Sequence, residues 1–259
     1  MRILLTNDDG IHAEGLNVLE SIAREFSDDI WIVAPEIEQS GKSRALSLTE
    51  PVRVRAVSER RWGVTGTPTD CVLIALQKLM LDTAPDLILS GVNNGQNMAG
   101  DTSMSGTVAA ALMGTEMGIR SIALSQSKGF RSRGSLDWNT PQKWGKRVIE
   151  PLLGCEWAEH ATMNINFPDR EPGDVEGIRF TRQGRRDRMI IEAHTRTDPR
   201  GNEYVWIAYN GKLSDPPAGT DLRAIYDGFV SVTPLHTDLT HAGQMSDNGL
   251  AKLYEGSDG

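Results

Sequence analysis

Short apolar runs, each followed by a polar turn and then by a helical pattern, constrain this chain more than any other feature. ILL at residues 3–5 lies in an expected strand over 2–6, and IWIVA fills 30–34, LIL 87–89 and IAL 122–124. Such runs are too short for buried helices and too uniformly apolar for a sheet wetted on one face. Helical spacing fills the gaps. Leu16, Leu19, Ile22, Ala23 and Phe26 follow the first run. Val72, Ala75, Leu76, Leu79 and Met80 form one stripe behind a Thr69 cap. A small-residue helix starts at Ser105 and ends near Gly118, and another covers 141–153. TMNINF at 162–167 reads as a further strand, and 46–57 as extended segments broken by Pro51. This alternation predicts an α/β fold, a parallel doubly wound sheet flanked by helices.

From about Pro168 the pattern becomes hairpin-like. Strands are expected over 179–182, 189–192, 204–208 and 229–234, with a turn at Asp198-Pro199-Arg200-Gly201-Asn202. We therefore expect one domain over 1–259, with a core at about 1–167 and a hairpin region at about 168–259 used for association. Residues 125–140 are rich in Ser and Gly, carry Lys128, Arg131 and Arg133, and read as a mobile surface loop.

The first run ends in Asn7-Asp8-Asp9-Gly10. Ligands of open α/β sheets bind beyond the carboxyl ends of the strands. Two acids there suit a hard divalent cation, but Asn-Asp-Asp-Gly equally supplies an Asx turn. Taken alone, the tetrapeptide supports both readings. Three further polar segments fall near strand ends or a helix start: Gln39 to Ser43, Ser90 to Asn97, and Ser105-Gly106-Thr107. Each has an ordinary reading as a turn, a Gly/Asn loop or an N-cap. Together they would gather at one sheet edge. Two carboxylates, a hydroxyl and an amide oxygen match Mg²⁺ or Mn²⁺, and a helix start offers N–H groups to an anion. Metal beside helix start is a constellation for processing phosphoesters.

Other classes are disfavoured. The net charge of -8 argues against a nucleic-acid polymer as partner. No apolar run is long enough for a bilayer or a signal peptide, and the two cysteines, Cys71 and Cys155, lie far apart. We expect a cytoplasmic protein without membrane contact. No GxGxxG, GxxxxGK[ST] or GxSxG occurs. His12 is expected to be structural. Arg182, Arg185, Arg186 and Arg188 are expected to form a solvated or intersubunit turn, with phosphate contact the second reading.

The motifs carry a resemblance. ILLTNDDG at 3–10, QSGKSRALSLT at 39–49, GTPTDCV at 66–72, SGVNNGQNMAGD at 90–101 and SGTVAAA at 105–111 closely resemble the SurE family of stationary-phase survival nucleotidases. DPRGNEYVW at 198–206, AGTD at 218–221 and GFVSVTPL at 228–235 extend it over nearly the whole chain. The resemblance implies a Rossmann-like core and a metal-dependent phosphatase acting on nucleoside 5′- and 3′-monophosphates, with polyphosphate cleavage also associated. It implies one divalent ion held by Asp8, Asp9, Ser40 and Asn93. It implies a phosphate pocket lined by Asn97, Ser105, Gly106 and Thr107. Asp8 or Asp9 would also act as base or nucleophile. A homodimer or homotetramer with C-terminal exchange is implied as well. Met104 stands where many members carry an aromatic residue or histidine, Asn94 and Gln96 are at variable positions, and all three bear on substrate preference. Two rivals stand beside this reading: a receiver-like Mg²⁺-binding signalling domain and a non-catalytic nucleotide-binding module. A receiver needs an Asp at the end of the third strand, where this chain has Ser90-Gly91.

Overall fold

The computed structural model describes residues 1–129, 136–187, 190–209 and 213–241. The apolar runs become β1 (Ile3–Thr6), β2 (Ile30–Pro35), β5 (Leu87–Asn94), β6 (Ser121–Gln126) and β7 (Thr162–Phe167), with β3 (Val54–Ser58) and β4 (Arg61–Val64) between β2 and β5. The helices are α1 (Glu14–Ala23), α2 (Pro68–Ile74), α3 (Gly106–Glu116), α4 (Asn139–Leu153) and α5 (Asp221–Tyr226). Strand order in the main sheet is β3-β4-β2-β1-β5-β6-β7-β11-β8, with β8 at Ile178–Phe180 and β11 at Val230–Leu235. The six strands from β4 to β7 run parallel. Their order is that of a Rossmann fold, with β1 and β5 flanking the point where the winding reverses.

Burial explains the runs. Ile3 and Leu5 pack with Leu16, Leu19 and Ile22 of α1 and with Val148 and Ile149 of α4. Leu4, between them, packs with Cys71 and Val72 of α2 and Ala110 of α3. Period-2 alternation thus divides one strand between two cores, and burying each large side chain contributes roughly 1.5–3 kcal/mol. Gly15 sets the seam between α1 and β5: a Cβ there would lie 2.0 Å from the Val92 carbonyl oxygen.

Several expectations need correction. α2 is capped by Thr67, not Thr69: Thr67 and Asp70 form a reciprocal capping box, with Pro68 in the first turn. β5 runs five residues past Leu89, carrying Asn93 into the sheet, where it pairs with Ser125. β7 pairs antiparallel with β11, and β11 parallel with β8, so two strands beyond residue 168 belong to the main sheet. The expected strand over 189–192 begins at Ile191, and Met189 lies outside the described residues. Of the expected surface loop, Ser125 and Gln126 belong to β6, while residues 130–135, with Arg131 and Arg133, lie outside the described residues. β9 (Ile191–Thr197) and β10 (Glu203–Tyr209) form a separate antiparallel ribbon.

Candidate active site

Asn7 takes the turn for itself. Its Nδ2 donates to the Gly10 carbonyl at 2.9 Å, and the Gly10 N–H donates to its Oδ1 at 3.2 Å. Asn7 thus closes the turn at Gly10 without capping α1, whose N-cap Ala13 has no side-chain hydrogen bond, and neither the Asp8 nor the Asp9 side chain is spent on that turn. The two readings of NDDG are divided among its residues.

Asp8 is buried against the start of α3. The Thr107 hydroxyl donates to Asp8 Oδ1 at 2.5 Å. The Thr107 backbone N–H also supports the Asp8 carboxylate, which is still pushed above its ordinary range by desolvation, with Glu38 adding to the rise. Gly106 makes the approach possible: a Cβ there would lie 2.8 Å from Asp8 Cβ and 2.9 Å from Oδ2. Ser105 is the N-cap, its Oγ accepting the Val108 N–H at 3.0 Å. The helix start thus faces a carboxylate of this chain, and the Ser105 hydroxyl is engaged in capping.

Asp9 lies beside the end of β5. The Asn94 N–H donates to its Oδ2 at 3.1 Å. Desolvation first, then the neighbouring Asp8, lifts its pKa to about 6. Asn93 donates Nδ2 to the Gly95 carbonyl at 2.7 Å, so its amide oxygen is the atom left for a cation. Ser40 stands apart. It is exposed, and its hydroxyl donates to Glu38 Oε1 at 2.9 Å. Its loop is tied to the site through the Gln39 N–H, which donates to the Asp8 carbonyl at 2.7 Å. Among the described residues Ser40 has no hydrogen bond to Asp8, Asp9 or Asn93.

Asn97 is held from beneath by β7. Its N–H donates to Asn166 Oδ1 at 2.9 Å, its carbonyl accepts from Asn164 at 2.8 Å and Asn166 at 3.1 Å, and its Nδ2 donates to Ser125 Oγ at 2.9 Å. Ser125, Asn164 and Asn166 were missed by sequence reasoning. The signal was there: TMNINF alternates asparagine with apolar residues, so both amides share one face. Glu38, whose charge bears on both acids, was also missed. His12 is exposed. Of the arginine cluster, Arg182 and Arg185 are exposed as expected, whereas Arg186 forms a largely buried pair with Asp101 at 2.6 Å, and Arg188 lies outside the described residues.

The donor set fits a hard cation. Among the described residues no three His, Cys, Asp or Glu side chains gather as a metal cluster. The oxygens gathered are instead two desolvated carboxylates and the Asn93 amide, with the Ser40 hydroxyl turned to Glu38, donors of the hard kind that Mg²⁺ or Mn²⁺ takes while keeping positions for water or phosphate.

The profile of the family described as Survival protein SurE matches residues 3–189. The chain belongs to the SurE family. A protein named 5'-nucleotidase SurE from Hyphomonas neptunium is 64% identical over 93% of this chain and 95% of its own length. One of the same name from Caulobacter vibrioides strain NA1000 is 54% identical over 93% of this chain and 92% of its own. The crystal structure of the SurE protein from Aquifex aeolicus superposes with a TM-score of 0.81 at 33% identity, covering 97% of this chain and 100% of that one. In this SurE-family chain the paired acids Asp8 and Asp9 stand at the end of β1, beside the point where the sheet order reverses.

Proposed function

We propose that this chain is a divalent-metal-dependent phosphatase that hydrolyses nucleoside 5′-monophosphates, and also 3′-monophosphates and polyphosphate, to release inorganic phosphate. The observation that carries this reading is the contact of Asp8 with Gly106 and Thr107. It brings a carboxylate and a helix start to one point of the sheet edge. The nucleotidase names of relatives above half identity support the same class.

Asp8, Asp9, Asn93 and Ser40 would hold one Mg²⁺ or Mn²⁺, which when bound acts as a Lewis acid on a phosphoryl oxygen. Thr107 holds Asp8 at a fixed rotamer through its hydroxyl and N–H. Asn94 does the same for Asp9. The Gly106 N–H and the α3 dipole favour negative charge beside them. Asn97, fixed by three β7 and β6 side chains, orients a phosphate or sugar oxygen. Without a cation, desolvation and the neighbouring Asp8 lift Asp9 to about 6, so a proton competes with the metal for it. Ser40 would turn from Glu38 to complete the donor set.

We also read the β9–β10 ribbon as the arm by which copies associate, as a homodimer or homotetramer with C-terminal exchange. Tyr204, Trp206, Ile207 and Tyr209 are exposed on it. Both cysteines are free thiols, in keeping with a cytoplasmic protein. Among the described residues no helix is long and apolar enough to cross a membrane.

The test is phosphate release from a panel of nucleoside monophosphates with Mg²⁺, Mn²⁺ or EDTA. Metal-dependent release that EDTA abolishes is expected. Binding of AMP without any release would replace the enzyme by a binding module.

A further inference from the structure

The segment 97–105 carries Asn97 at one end and the α3 cap at the other, and it is held from outside the sheet core by side chains of the C-terminal half. The Ala99 N–H donates to Asp221 Oδ2 at 2.8 Å. The Ala99 carbonyl and Thr102 Oγ1 both accept from Gln183 Nε2, at 2.7 and 2.8 Å. Asp101 Oδ2 accepts from Arg186 Nη2 at 2.6 Å, with the two side chains only 9% and 11% exposed. Asp221 Oδ1 in turn accepts the N–H groups of Gly184 and Leu222, so one carboxylate ties the 182–186 strap to the 99–102 turn. Ala99 sits at φ +52, a left-handed conformation that a non-glycine residue keeps only where its surroundings impose it. A buried ion pair is weak as a source of stability but is costly to break. Its value is in fixing one arrangement, and the arrangement fixed here is the turn between two groups of site residues.

We infer that Gln183, Arg186 and Asp221 are positioning residues that set Asn97 and the Ser105–Thr107 helix start for phosphate. They act through the 99–102 turn and touch neither the acids nor the Ser40 loop. The inference rests on the phosphatase reading above for its kinetic arm and on local structure for its other arm. The turn these residues hold bears first on Asn97 and reaches the cation side only at second hand, through Thr107, which donates to Asp8, and through Ser43, whose Oγ and N–H donate to the Ser103 and Met104 carbonyls at 2.7 and 3.2 Å.

Gln183→Met keeps the side chain's length and removes the donor. Arg186→Met removes the charge, and Arg186→Lys restores it. In the full-length protein, hydrogen exchange should accelerate at amides 97–107 in both Met variants while β1 amides keep their protection. The kcat for AMP should fall roughly ten- to a hundredfold, the scale of small misplacements in an active site. Inhibition by inorganic phosphate should weaken in parallel, and by a larger factor than any shift of the Mn²⁺ activation midpoint, since Thr107 also donates to Asp8. Arg186→Lys should recover part of the loss. Unchanged exchange at 97–107 overturns the inference, as does unchanged kcat in variants that loosen there. Exchange rising throughout, β1 amides included, overturns it in favour of a general scaffold role. Failure of the unmodified protein to release phosphate removes the phosphatase reading only. The exchange pattern and inorganic phosphate affinity by calorimetry then decide the strap.

Discussion

The end of β1 and the β9–β10 ribbon are both short β elements with perfect ladders, and they have opposite surroundings. Every residue of β1 is buried, between α1 and α4 on one face and α2 and α3 on the other. The ribbon pairs seven residues from each strand, yet Trp206 is 63% exposed and Ile207 75%. An isolated two-stranded ribbon is marginal in water. The contrast teaches that backbone pairing is not what separates the two. The site edge has its own core, and the ribbon carries apolar surface that the other described residues leave exposed.

The contrast can be broken at either end. The largest effect is expected for Asp8→Asn. Nucleotidase activity should drop by at least about a hundredfold, the scale at which even outer partners of a metal site matter. The melting temperature should hold or rise, because a desolvated carboxylate is removed. A variant with full activity in Mn²⁺ would sink the assignment of Asp8. Gly106→Ala comes next. The new methyl meets a buried Asp8, so activity should fall roughly tenfold or more, with about 1–3 kcal/mol lost by overpacking. Thermal unfolding and AMP kinetics check both, and an Ala variant indistinguishable from the parent would mean that Asp8 has room to retreat.

At the other end, Trp206→Ser with Ile207→Ser should shift the sedimentation mass toward that of one chain and leave the unfolding of the main sheet in place. If the mass is unchanged, the ribbon is not the arm that joins copies. The smallest effect is in pH. Asp9 has a folded pKa of about 6 against an ordinary 3.8. The folded state therefore binds more protons than the unfolded one between these values, and stability from this group falls as pH rises through that window. In EDTA, the melting temperature of Asp9→Asn minus that of the parent should grow from pH 4 to pH 7. A flat difference would contradict the burial of Asp9. Divalent-ion affinity should weaken below about pH 6, since the proton competes with the metal.

Much of the fold was legible because burial on both faces writes itself into composition. The apolar runs locate β1, β2, β5 and β6, and their alternation with helices implies the parallel order. Boundaries were less legible where polar residues sit inside the sheet. β5 continues through Ser90 to Asn94, and β7 carries Asn164 and Asn166, whose Nδ2 groups and the Asn166 Oδ1 bind the backbone of Asn97, a partner distant in sequence. The cap at Thr67 was misplaced because two threonines bracket Pro68, and only the position of proline in the first turn separates them. Arg186 was read as a surface charge because its partner Asp101 lies 85 residues away, and no local pattern reports such a pair.

Asn7 has a consequence for how this site can change. Because one asparagine closes the turn after β1 with both ends of its amide, the side chain of Asp9 takes no part in closing it. A library randomised at position 9, the less buried of the two acids, should therefore express as folded protein more often than one randomised at 7 or at the tightly packed 8. On the proposed phosphatase reading, position 9 is a place where selection can retune the chemistry without rebuilding the strand that presents it.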